Sequence, residues 1–109
     1  MPFSSVYPHY VNKVQRRGRS VEELHEVIRW LTGFSESQLQ GFIDSKDDFT
    51  AFFTAARLHE NAPLITGSIC GVKIQEIEDP LMLKIRYLDK LVDELAKGRP
   101  LEKILRTKK

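Results

Sequence analysis

A chain of 109 residues with 41% hydrophobic content fits one globular domain and leaves no room for a second core. A formal net charge of +2 argues against the large electrostatic field that favours nucleic acid or membrane partners. The single cysteine, Cys70, excludes a disulfide framework and an all-cysteine metal site, and no apolar stretch approaches the length of a membrane span.

The first ten residues lack a basic segment followed by an apolar one, which predicts a cytoplasmic protein. A first helix is predicted from Ser5 or Tyr7 to Arg17, with Pro8 in its first turn, where the missing N–H does no harm. Val6, Tyr10, Val11 and Val14 would face inward, with Tyr7 beside them. Ser20 and Glu23 have the spacing of a capping box, which opens a helix through Thr32 with Val21, Leu24, Val27, Ile28 and Leu31 on one face. Gly33 ends it. Ser35 and Gln38 repeat the box and start a shorter helix bearing Leu39, Phe42 and Ile43. Asp47 or Asp48 can cap the next, whose inner face holds Phe49, Phe52, Phe53 and Ala56, with Trp30 expected beside that aromatic cluster.

Asn61, Pro63 and Gly67 mark 57–67 as loop. Over 68–77 the alternation of Cys70, Val72 and Ile74 favours a strand, paired either with 64–66 or with a second subunit; an irregular segment or short helix is the alternative. Asp79 caps and Pro80 begins the long helix that Gly98 terminates, with Leu81, Ile85, Leu88, Val92 and Leu95 as one apolar stripe. Pro100 starts a last short helix using Leu101, Ile104 and Leu105. The expected fold is mainly α: a single small domain over 1–109, about six helices packed on a long central helix (80–97), with at most one short β element near 68–77.

The stretches FSSVYPHYV, RRGRSVEELHEVIRWLTGF, DDFTAFF, ICGVKIQEIEDPLMLKIRYLDKLVDELAKG and RPLEKIL together resemble a bacterial family catalogued as domain of unknown function 2200. The resemblance spans almost the whole chain. It implies a compact single-domain bacterial protein of the cytoplasm and carries over no activity, cofactor or catalytic residue. The family pattern usually has tyrosine where this chain has Phe34, and often an acidic residue where it has His25, which weighs against a site hanging on His25.

Four groupings could carry chemistry. Glu22, His25 and Glu26 share one helical turn, but a di-metal site needs a second Glu-x-x-His pair, and neither His9 nor His59 has one; a solvated face is the simpler reading and no cofactor is expected. Cys70 as a reactive thiol would need a base such as His59; a buried inert thiol is commoner. Glu76, Glu78 and Asp79 could serve as acid or base, but negative charge before a helix also complements its dipole. Lys13, Arg16, Arg17 and Arg19 suit phosphate and are the candidate nucleic-acid contacts. The helices on either side of Gly33 have helix-turn-helix length, yet the second carries no Lys or Arg.

Met82, Leu83 and Leu91 lie off the main stripe of the long helix, and a helix apolar on several faces is either centrally buried or in contact with a second subunit, which a domain this small favours. They are the candidate interface. The leading expectation is a small non-catalytic interaction module, homodimeric, with another protein as a further possible partner and no membrane association. The first alternative is a nucleic-acid-associated protein using the basic cluster at Arg16 to Arg19. The second is a small enzyme using Cys70, His59 and the carboxylates Glu76, Glu78 and Asp79.

Overall fold

The computed structural model describes residues 3–69 and 71–105, apart from the side chain of Glu102. Its α-helices are α1 (Phe3–Gln15), α2 (Val21–Thr32), α3 (Glu36–Asp44), α4 (Phe49–Ala55), α5 (Pro80–Ala96) and α6 (Leu101–Ile104). Two short strands, β1 (Ser68–Ile69) and β2 (Val72–Lys73), and two 3₁₀ turns, Ala62–Leu64 and Ile74–Glu76, fill the connection between α4 and α5. The fold is therefore mainly α, as the capping and periodicity require.

Local chemistry sets most boundaries. Both capping boxes close fully: the Glu23 N–H donates to Ser20 Oγ at 3.1 Å while the Ser20 N–H donates to Glu23 Oε1 at 3.1 Å. At α3 the Gln38 N–H donates to Ser35 Oγ and the Ser35 N–H to Gln38 Oε1. Asp48 accepts from the Ala51 N–H at α4, and Asp79 accepts from the Leu81 and Met82 N–H groups at α5. Each cap satisfies donors that a helix start leaves open, worth about 1 kcal/mol apiece.

Three elements depart from the expectation. First, α1 begins at Phe3, so Pro8 lies inside the helix rather than in its first turn. Tertiary contact outweighs the lost Pro8 hydrogen bond: Phe3 is fully buried, its ring stacks on Phe52 at 4.2 Å, and its N–H donates to the Asp47 carbonyl at 3.1 Å. Second, the strand pairs within its own segment rather than with 64–66. β1 and β2 form an antiparallel hairpin inside the same segment, Ser68 opposite Lys73 and Ile69 opposite Val72, and a 3₁₀ turn follows at once. The apparent alternation of 68–77 is thus a hairpin plus a turn that buries Ile69 and Ile74. Third, Trp30 packs partly buried against the core, and its ring partner is not one that the sequence pointed to. It stacks on His59 with centroids 4.3 Å apart.

The core runs from that phenylalanine cluster through Leu24, Ile28 and Leu31 of α2 to Leu88, Leu91 and Leu95 of α5, all fully buried. Its radius of gyration, 12.9 Å, matches the roughly 13 Å expected of one domain this long. α1 lies along α5. The Tyr10 hydroxyl donates to Asp89 Oδ1 at 2.6 Å, and one turn on Lys13 pairs with Asp93 at 3.2 Å. The contacts advance together, so the two helices are parallel and their C-terminal ends lie side by side. Burial, then the charge and hydrogen bond of Asp89, push the Tyr10 phenol far above its ordinary range, so it remains a donor at any working pH.

Candidate functional site

The parallel packing of α1 and α5 brings the cations of two distant segments together. His9, Asn12, Lys13, Arg16 and Arg17 from α1 and the turn after it face Asp93, Ala96 and Lys97 of α5 and its end, around a cleft of about 460 Å³. The α1 residues recur every three or four positions and so share a face. Asp93 sits on the floor, 16% exposed, between Lys13 at 3.2 Å and Lys97 at 3.1 Å. Arg16 and Arg17 are exposed and make no ion pair among the described residues. Arg19 leaves the group. It folds back on Glu23 at 2.8 Å and is only 15% exposed, so of the four candidate nucleic-acid contacts Lys13, Arg16 and Arg17 stay together.

Burial alone would raise the Asp93 carboxyl, but hydrogen bonds from Lys97 and Lys13, reinforced by their charges, outweigh it and hold the group below its usual range. A depressed carboxyl contributes stability that is complete above its unfolded pKa, about 3.9, and is lost as pH falls through the lower folded value. The melting temperature of Asp93→Asn should therefore lie below that of the native chain at pH 7, and the gap should close as pH drops below about 4. No gap at pH 7 would show that the two lysines do not hold the carboxylate in solution.

A second polar constellation joins three helices. The Tyr7 hydroxyl meets His25 Nε2, His25 Nδ1 lies 2.7 Å from Glu36 Oε1, and Arg29 Nε lies 3.2 Å from Glu36 Oε2. Burial, then the Glu36 charge, raise the Tyr7 phenol above its ordinary range. The link acts as a brace of α1, α2 and α3. It also redirects His25 away from Glu22 and Glu26, which are exposed, and among the described residues no group of three His, Cys, Asp or Glu side chains is placed to hold a metal ion. Sequence reasoning missed this brace, since its members lie 18 and 11 residues apart; the available signal was the Ser35 cap, which fixes Glu36 as the first residue of α3.

Cys70 lies outside the described residues. His59 is engaged by the Trp30 stack, and its Nδ1 accepts the Asn61 N–H at 3.0 Å. Asp79 is committed as the α5 cap, and Glu76 and Glu78 are exposed.

The apolar candidates divide. Leu91 is fully buried inside the chain and cannot reach a partner, since its face of α5 is covered by the core. Met82 is 41% exposed. Leu83 lines an apolar groove of about 360 Å³ with Leu58, Pro63, Pro80 and Tyr87, and with Glu60 and Lys84 at its margin. Beside α5, Leu64 is 53% exposed.

Fold and site together define a small helical domain with a basic cleft at one end of its central helix and an apolar groove at the other. The chain belongs to the family of uncharacterized proteins conserved in bacteria known as domain of unknown function 2200 (DUF2200), which matches residues 1–106. It is similar to the crystal structure of the uncharacterized protein SP1917, at 44% identity and a TM-score of 0.90, over 96% of this chain and 87% of that one. No curated protein matches it. No helix among the described residues is long and apolar enough to cross a membrane.

Proposed function

We propose that this chain is a non-catalytic, homodimeric interaction module of the cytoplasm, paired through the N-terminal half of α5. One observation carries the reading. Leu81 and Ile85 share one side of α5 while Met82 and Leu83 lie on others, and none of the four is fully buried, although the second half of the same helix is core. An apolar helix left half-covered by its own domain gains by burial against another. The groove beside it supports a second copy as the occupant. Glu60 and Lys84 line it with opposite charges, and neither makes an ion pair among the described residues. A twofold axis places each surface against itself, so Glu60 of one protomer meets Lys84 of the other twice over.

Sedimentation at micromolar concentration tests the reading. The native chain is expected to run as a dimer. Met82→Glu sets like charges near the axis and should weaken association at least about thirtyfold, with the helical circular dichroism and melting of the monomer retained. Lys84→Glu should weaken it as well, and adding Glu60→Lys should restore it. A native monomer, or a dimer indifferent to both changes, overturns the proposal.

A further inference from the structure

The cleft at the other end of α5 holds more positive charge than the fold requires. Two parallel helices end there, and the negative end of each helix dipole amounts to roughly half a charge. With Asp93 the negative total is about two. Four cations, Lys13, Arg16, Arg17 and Lys97, answer it. Dipole compensation and the Asp93 bridge thus account for about two of the four, and about two positive charges are left over. The pairing shows which: Lys13 and Lys97 share Asp93, while the guanidiniums of Arg16 and Arg17 open on the cleft with no ion pair among the described residues.

We propose that this cleft binds a small phosphate-bearing molecule. Arg16 and Arg17 present forked donors that match two phosphate oxygens at once, and compact charge is added by Lys13 on the same side and Lys97 on the opposite wall. Asn12 and His9 add further hydrogen-bonding groups to the lining. Asp93 holds the two lysines in place and at the same time limits how much negative charge the cleft accepts. About 460 Å³ falls within the span of pockets that hold small ligands, roughly 300–1,000 Å³. A nucleic-acid strand fits less well. It would need a basic track, but Arg19 is bound to Glu23, and α3 offers Glu36 and Asp44 without a Lys or Arg.

Amide NMR of the full chain, titrated at low salt with inorganic pyrophosphate, tests this. Saturable shifts are expected at 9–17 and 93–97. In Arg16→Gln/Arg17→Gln, which should keep its fold by circular dichroism, affinity should fall at least about tenfold. Asp93→Asn removes the one acid in the cleft and should raise affinity by about fivefold, which a merely structural Asp93 would not do. Unsaturable or scattered shifts, or binding untouched by the arginine pair, overturn the proposal. So does a single-stranded oligonucleotide that binds more tightly than pyrophosphate and with a steep salt dependence, because that outcome makes the cleft part of a strand-binding surface.

Discussion

Phe52→Ala is expected to cost about 3–5 kcal/mol and to lower the melting temperature by roughly 15–25 °C. Phe52 is fully buried, and its ring is the hub of the aromatic cluster. It stacks on Phe3 at 4.2 Å and meets the edges or faces of Phe34, Phe42, Phe49 and Phe53 between 4.9 and 6.2 Å. Those rings come from α1, the α2–α3 turn, α3 and α4, so truncation opens a cavity where four segments converge. The neighbours are themselves rigid rings and cannot flow into the space, which places the cost at the high end for a large-to-small change. Phe52→Leu keeps most of the volume and should cost less than about half as much, because only the ring contacts are lost. Chemical denaturation of the two variants separates the terms. Should Phe52→Ala stay within about 1 kcal/mol of the native chain, the cluster collapses freely and Phe52 is not its hub. Should Phe52→Ala fail to fold, the leucine variant still reports the ring contacts.

Most of the helices were legible because their signals are local. Ser20 with Glu23, Ser35 with Gln38, and Asp79 before Pro80 are each complete within four residues, and the structure closes all three caps. The start of α1 was not legible. Pro8 argues locally for a late start, and only the burial of Phe3 against Phe52, 49 residues away, reverses that balance. The hairpin fell to another cause: two-residue strands are too short for a period of two to distinguish them from a turn. The site divides in the same way. Lys13, Arg16 and Arg17 were visible as a cluster, but proximity in sequence wrongly added Arg19 and could not supply Lys97. Asp93 and Lys97 have the four-residue spacing of an ordinary helix pair, and only parallel packing sets Lys13 against the same carboxylate. Trp30 shows the limit most plainly, since its stacking partner His59 comes from a segment with no pattern of its own.

That segment depends on Gly33, and Gly33→Ala is expected to cost about 2–4 kcal/mol. Two terms add. Gly33 closes α2 at φ 73°, donating its N–H to the Arg29 carbonyl at 2.8 Å, and a side chain in that region costs about 1–2 kcal/mol. The added Cβ would also stand 2.9 Å from the Arg57 carbonyl oxygen, closer than such atoms approach. Backbone cannot give way cheaply there. The Arg57 N–H donates to the Thr32 carbonyl at 2.8 Å and the His59 N–H to the Leu31 carbonyl at 3.1 Å, so the chain at 57–59 satisfies the open end of α2. Pushing Arg57 outward strains both bonds and carries His59 off the Trp30 ring. Gly18→Ala is the matched control. Gly18 has φ 78° as well, but nothing lies within 4 Å of its added Cβ, so only the backbone term of about 1 kcal/mol remains. Trp30 is the single tryptophan of the chain, so its fluorescence reads the displacement directly. Gly33→Ala should shift the Trp30 emission and Gly18→Ala should leave it unchanged. Equal stability losses with an unmoved emission would mean that 57–59 yields without cost, and that the close approach of Arg57 does not order the loop beneath the apolar groove.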